Sequence, residues 1–140
     1  RLPEIIARRR ELAARYRLLL AAIAGLGAPV EPDWARSNWQ SFCVRLPEGC
    51  DQRQVMQSML DAGVATRRGI MCSHREAAYT VRTTWSCGAE GNNCQCGAGR
   101  CQHLRQSEHA QDRTILLPLF PQMENGQQDY VVSALLNAML

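Results

Sequence analysis

Apolar residues recur over the first 25 positions at Leu2, Ile5, Ile6, Leu12, Ala13, Tyr16, Leu19, Leu20 and Ile23. Steps of three and four of this kind wind into a single stripe on an α-helix. Arg8, Arg9, Arg10, Arg15 and Arg17 fall largely off the stripe, and Gly25 and Gly27 end it. The pattern predicts a helix over residues 1–25, roughly 36 Å long at about 1.5 Å per residue. A helix of that length nearly spans a domain of this size, so part of the Leu2, Ile5, Ile6 and Leu12 surface is expected to need a partner outside the chain.

The period then changes. Residues 28–37, with Pro29 and Pro32, read as a connector, and the alternation from Trp39 to Leu46 predicts a strand burying Phe42, Val44 and Leu46. Pro47 and Gly49 stop it. Asp51 with Gln54 reads as a capping box opening a helix whose buried stripe is Val55, Met56, Met59 and Leu60. Gly63 is placed to close that helix with a positive φ. Val64-Ala65-Thr66 reads as a short strand delivering Arg67 and Arg68 to an edge, followed by an irregular segment carrying Met71, His74 and Tyr79.

Residues 83–106 turn abruptly to Gly, Asn, Gln and Cys and read as an insertion. Ser107 is expected to cap a short helix ending at Arg113, and Thr114 to Leu117 form an apolar strand closed by Pro118 and Pro121. Asn125 with Gln128 reads as a second capping box, opening a helix that buries Val131, Val132, Leu135, Leu136 and Met139. Few strands between two long amphipathic helices, with no glycine-rich phosphate loop, define an α+β fold: an open α/β sandwich with a small sheet covered by helices.

Composition narrows the chemistry. A chain of 140 residues with 46% hydrophobic and 21% charged positions is one globular domain by length. No apolar run approaches the ~20 residues of a membrane span and no secretory signal is visible, so a cytoplasmic protein with no membrane partner is expected. The chain opens on Arg1 and is helical at once, which reads as a cut from something longer. All 16 basic residues are arginine, and there is no lysine. A pyridoxal enzyme needs a Schiff-base lysine and a P-loop its phosphate-binding lysine, so neither operates from this chain alone. The arginines of the first helix lack interleaved aromatics, and a solvated face rather than nucleic acid is expected there.

Four of the seven cysteines fall in the insertion, as Cys87-x6-Cys94-x-Cys96-x4-Cys101, with His103 just beyond. Four thiols could form a tetrahedral zinc site, which makes a zinc-supported binding module the alternative function. The spacing lacks paired Cys-x2-Cys knuckles, and the expectation is a loop with no metal. Thiol–disulfide chemistry is disfavoured by the absence of Cys-x-x-Cys and by the expected compartment.

Three stretches occur in order: Asn38-Trp39-Gln40-Ser41-Phe42-Cys43-Val44-Arg45-Leu46; Asp61 to Tyr79; and Ser107-Glu108-x-Ala110 followed by Ile115-Leu116-Leu117-Pro118-Leu119-Phe120-Pro121-Gln122-Met123. Together they resemble the C-terminal part of the DegT/DnrJ/EryC1/StrS family of pyridoxal-phosphate-dependent nucleotide-sugar aminotransferases. The resemblance implies the small C-terminal domain of a fold-type I transferase, with residues 1–27 as a long domain-joining helix and residues 28–140 as the small domain carrying the insertion. It implies a parent enzyme that moves an amino group from an amino-acid donor, typically glutamate, to the keto carbon of a nucleotide-linked sugar. Pyridoxal phosphate would be held by the large N-terminal domain of the same protein, the parent would be a homodimer, and this fragment would be inactive and bind no cofactor alone.

The resemblance also assigns residues. Thr66-Arg67 matches the family's Thr-Arg pair, His74 the histidine of the following loop and Tyr79 the aromatic after it. Arg67 is then expected either to face an anion, because a guanidinium fork suits phosphate and carboxylate alike, or to pair with a local carboxylate. His74 is expected either to donate to the sugar or to hold the loop. Cys72 and Ser73 stand where relatives often carry proline, so the loop's backbone is expected to differ.

Overall fold

The computed structural model describes residues 1–80 and 100–140. It resolves into two compact units: Arg1–Gly69 with Arg113–Leu140, and Ile70–Asp112.

The first unit opens with α1, Leu2–Leu20. Pro3 is tolerated in the first turn because N–H groups there have no intrahelical acceptor. The helix stops five residues short of the predicted end, and at about 1.5 Å per residue is about 28 Å long. Gly25 then turns the chain at φ 76°. Leu12, Ala13, Tyr16 and Leu20 are buried, so Leu12 belongs to the core rather than to an outward patch. Ile5 and Ile6 are half-buried and Leu2 is exposed.

The helix arginines differ from the expected solvated face. Arg8 donates to the Met123 carbonyl at 2.7 Å and to the Pro121 carbonyl at 3.3 Å. Arg10 donates to the Ser37 carbonyl, and Arg15 reaches Asp129 at 2.8 Å. A long guanidinium can lie along the domain and still bond at its tip. These side chains therefore tie α1 to the connector and to the C-terminal region.

Strand β1, Phe42–Arg45, is half the predicted length. Trp39 adopts φ 49°, a left-handed turn that no strand accommodates, with its amide donating to Ser37 Oγ at 3.0 Å. Helix α2, Gln52–Asp61, is capped by Asp51, whose carboxylate accepts from the Arg53 and Gln54 amides; the cap is Asp51's alone. Val55 and Met59 are buried and Met56 is half-buried, but Leu60 is 54% exposed, contrary to expectation. Gly63, at φ 77°, closes α2. Its amide bonds to the Leu60 carbonyl and that of Val64 to the Met59 carbonyl, both at 2.8 Å. This is the doubly bonded termination that needs a left-handed residue. Val64 is thereby committed to the helix end, and β2 forms directly after the predicted strand, at Arg67–Arg68.

Strand β3, Thr114–Leu117, takes the centre of a three-stranded antiparallel sheet of order β1-β3-β2. Phe42 faces Leu117 and Val44 faces Ile115 across the β1–β3 ladder, and all four side chains are buried. With Leu46, Tyr16, Leu20, Val55, Met59, Val131 and Leu135 they form one apolar core. Tyr16 packs at a tilt against Phe42, ring centres 5.1 Å apart, while its hydroxyl donates to the Pro118 carbonyl at 2.9 Å. Burial pushes the Tyr16 phenol up, so it stays a donor at any ordinary pH.

Helix α5, Asn125–Ala138, starts one residue before the expected box, with Glu124 and Gln127 as the reciprocal pair. Gln128 is instead fully buried, its Nε2 donating to the Leu12 carbonyl at 2.9 Å. Val131, Val132, Ala134 and Leu135 are buried; Leu136 is 41% exposed and Met139 half-buried, so the stripe is narrower than predicted.

The second unit begins with a 3-10 turn, Ser73–Arg75, and α3, Ala77–Thr80. A second 3-10 turn, Gln102–Leu104, leads into α4, Arg105–Arg113, which ends in the first unit. The chain is therefore already helical where the insertion was expected to continue, and Ser107 lies inside α4 rather than capping it. Of the four insertion thiols only Cys101 falls among the described residues, where it is buried. Cys87, Cys94 and Cys96 lie outside them.

Candidate functional site

Residue alternation along β2 sends its two arginines to different places. Arg67 is exposed and lines a depression of about 300 Å³ with Gln40, Ser41, Thr66 and the Leu116–Leu119 segment. Arg68 is half-buried and lines an adjoining pocket of about 350 Å³ with Arg53, Met56, Gln57 and Leu60, and Thr66 borders both. Thr66 Oγ1 is buried with no hydrogen-bond partner among the described residues. Among the described residues no carboxylate pairs with Arg67 either. Thr66 and Arg67, whose hydroxyl and guanidinium find no polar side-chain partner among the described residues, thus both border this depression. Both are groups that gain from an oxyanion.

The other predicted residues lie in the second unit. His74 sits in the Ser73–Arg75 turn, its Nε2 2.9 Å from Glu108 Oε1 on α4, with both side chains largely buried. The same carboxylate oxygen accepts the Cys101 amide at 2.7 Å. Next to it, Arg75 reaches Asp112 at 2.7 Å, and the Cys72 amide donates to Gln111 Oε1 at 2.6 Å. Helix α4 thus presents Glu108, Gln111 and Asp112 as three anchors for the loop around His74. Tyr79 follows on α3 and is 51% exposed.

Electrostatics fit this geometry. Burial alone would push the Glu108 carboxyl up, but the His74 and Cys101 hydrogen bonds and the charges of His74 and Arg75 outweigh it and hold it below its ordinary value. Burial raises the Cys72 thiol, with Glu108 and Asp112 adding to the effect and Arg75 opposing it. That makes Cys72 a poor nucleophile at neutral pH. No cluster of three or more metal-capable side chains occurs among the described residues. None of their helices is long and apolar enough to cross a membrane.

Glu108 was the residue that reasoning from sequence left without a role. It lies 34 positions from His74, and no local pattern announces so distant a pairing. A depressed carboxylate stabilises the fold above its unfolded pKa of about 4.3 and loses that contribution as pH falls through the lower folded value. Acidification from about pH 4.3 downwards should therefore release the His74 loop. The protection factor of the Cys101 amide, its exchange by NMR corrected for the intrinsic rate at each pH, should fall over that window, and Glu108→Gln should flatten the dependence.

An open three-stranded antiparallel sheet with helices in this order is the architecture of aminotransferase chains. The structure of the aminotransferase TlmJ from Streptoalloteichus hindustanus matches with a TM-score of 0.72 and 27% identity, over 99% of this chain and 32% of that one. A Streptococcus pneumoniae chain solved in its PLP form matches in fold, with a TM-score of 0.71 and 17% identity, over 98% of this chain and 32% of that one. Among curated proteins, dTDP-4-dehydro-2,3,6-trideoxy-D-glucose 4-aminotransferase of Saccharopolyspora spinosa is 33% identical over 129 residues, 91% of this chain and 28% of that protein. The family model of the DegT/DnrJ/EryC1/StrS aminotransferase family matches residues 1–136, and the chain belongs to that family. It spans about a third of the length of the relatives it matches.

Proposed function

We propose that this chain is the small C-terminal domain of a pyridoxal-phosphate-dependent aminotransferase that aminates a keto carbon of a nucleotide-linked sugar. The family match over residues 1–136 carries the reading. The curated relative supports the substrate class, since its name specifies a dTDP-linked dehydro sugar. In this reading residues 1–27 join the domain to a large N-terminal domain, the donor is an amino acid such as glutamate, and the enzyme is a cytoplasmic homodimer.

Pyridoxal phosphate supplies the electron sink and amino carrier of such a reaction. Its attachment needs a lysine, and this chain has none, so the residues here do not fit as its cradle. What they offer is substrate contact. Thr66 and Arg67 would hold an anionic group of the sugar nucleotide or of the donor, His74 would set the loop through Glu108, and exposed Tyr79 would present a ring to the cleft.

The test uses the full-length enzyme. With glutamate and a dTDP-linked 4-keto sugar it should yield an amine-bearing sugar nucleotide, detected by mass spectrometry. Arg67→Gln should raise KM for one anionic substrate at least about tenfold, the scale of one charge-assisted hydrogen bond. The 140-residue chain alone, treated with pyridoxal phosphate and borohydride, should retain no adduct on an internal side chain. A stoichiometric internal adduct, or no aminated product from a panel of keto-sugar nucleotides, would overturn the reading.

A further inference from the structure

The second unit contains a cavity of about 430 Å³ lined by Arg75, Arg100, Cys101, Gln102, Arg105, Glu108 and Asp112. Its volume falls within the range of small-molecule pockets, about 300–1,000 Å³. What it binds depends on which of its charges are already matched. The Glu108 carboxylate accepts from His74 and from the Cys101 amide, and Asp112 accepts from Arg75 at 2.7 Å. Arg75 is further held by the Glu108 carbonyl at 3.3 Å. Asp112 and Arg75 are therefore paired with each other, and Glu108 has its hydrogen bonds met within the unit. Arg100 and Arg105 remain, both exposed, their guanidiniums with no hydrogen bond or ion pair to a described residue. They leave unmatched positive charge on one concave surface.

We infer that this pocket is an anion-binding site for a phosphate group, held between the Arg100 and Arg105 guanidiniums. Two forked donors without acceptors among the described residues suit a tetrahedral dianion that can offer an oxygen pair to each. The paired carboxylates bar a purely apolar occupant, and the existing partners of Glu108 and Asp112 reduce the repulsion that bare acids would exert. The site is independent of the aminotransferase reading. Arg100 and Arg105 lie outside the three stretches that carry the family resemblance, and Arg67 is on the other unit.

Isothermal titration of pyrophosphate, inorganic phosphate and sulfate into the chain at low ionic strength tests the site. Pyrophosphate and phosphate should bind saturably at one site per chain, and sulfate more weakly. The double variant R100Q/R105Q should lose at least about tenfold in affinity with an unchanged circular dichroism spectrum. R105K should also lose affinity, because a point charge replaces the fork, while the control R36Q should bind as the parent does. Tight pyrophosphate with negligible phosphate binding would assign the site to a diphosphate, and comparable binding to a phosphomonoester. Absence of saturable binding, or an equal loss in R36Q, would overturn the proposal.

Discussion

Phe42→Ala is expected to destabilise the domain by about 3–5 kcal/mol, the range for truncating a fully buried aromatic. The ring is inaccessible to solvent and lies between Tyr16 at 5.1 Å and Trp39 at 5.7 Å. Its strand is the edge partner of β3 and its register faces Leu117, so the cavity would open where helix meets sheet. Collapse into that space is limited, because Tyr16 is held by its bond to the Pro118 carbonyl. Against a typical total of about 5–15 kcal/mol, such a loss leaves little margin. Urea unfolding followed by tryptophan fluorescence should show a lower midpoint at unchanged slope. Phe120→Ala, at a 40% exposed position, should move the midpoint far less. Equal shifts for the two variants would mean that the core is centred elsewhere.

Gly69→Ala is the second large effect, and it arises from excess volume rather than a void. A methyl group at Gly69 would lie 2.5 Å from Cys43 Sγ and 2.8 Å from Thr114 Cβ, closer than real side-chain contacts come. Thr114 cannot swing away cheaply, because it is β-branched and buried, and the Gly69 amide is fixed to the Thr114 carbonyl at 2.8 Å. Overpacking of this kind costs about 1–3 kcal/mol. Gly49→Ala makes a useful contrast, since that position has open space but φ 85°, and so isolates backbone strain from collision. A G69A/T114A double variant, which removes the Thr114 Oγ1 that the methyl would meet, should recover part of the lost stability. If thermal unfolding places G69A level with the parent, the sheet is looser at this crossing than described.

Much of the architecture was legible because it depends on local periodicity. Phe42, Val44 and Leu46 alternate, Asp51 can only cap, and Gly63 stands where a left-handed residue is required. The misplaced boundaries share a cause: a long-range contact outbids a local signal. Asn125 and Gln128 have the spacing of a capping box, yet Gln128 is drawn into the core to meet the Leu12 carbonyl, and the box forms at Glu124 and Gln127. Val64 has strand propensity, but its amide completes the end of α2. Arg8 and Arg15 look solvated in a helical projection because their acceptors, Met123 and Asp129, are more than 110 positions away. The site divides in the same way. Arg67 and His74 came from resemblance, whereas the orphan Thr66 hydroxyl and the Glu108 anchor exist only once the chain is folded.

The isolated bridge between Gly27 and Arg45, with both backbone hydrogen bonds at 2.8 Å, lies beside the outer edge of β1. Its approach is close enough that a methyl at position 27 would stand 3.2 Å from Arg45 Cβ. The opposite edge strand, β2, is only two residues long and consists of arginines. A sheet becomes a template for fibrous self-assembly when it offers a long, uncharged border to a second chain. Here one border is partly occupied by the chain's own backbone and the other is brief and positively charged. The sheet that anchors the core is thereby poorly suited to recruit a foreign strand, a protection built into the connector and the β2 turn rather than into the core.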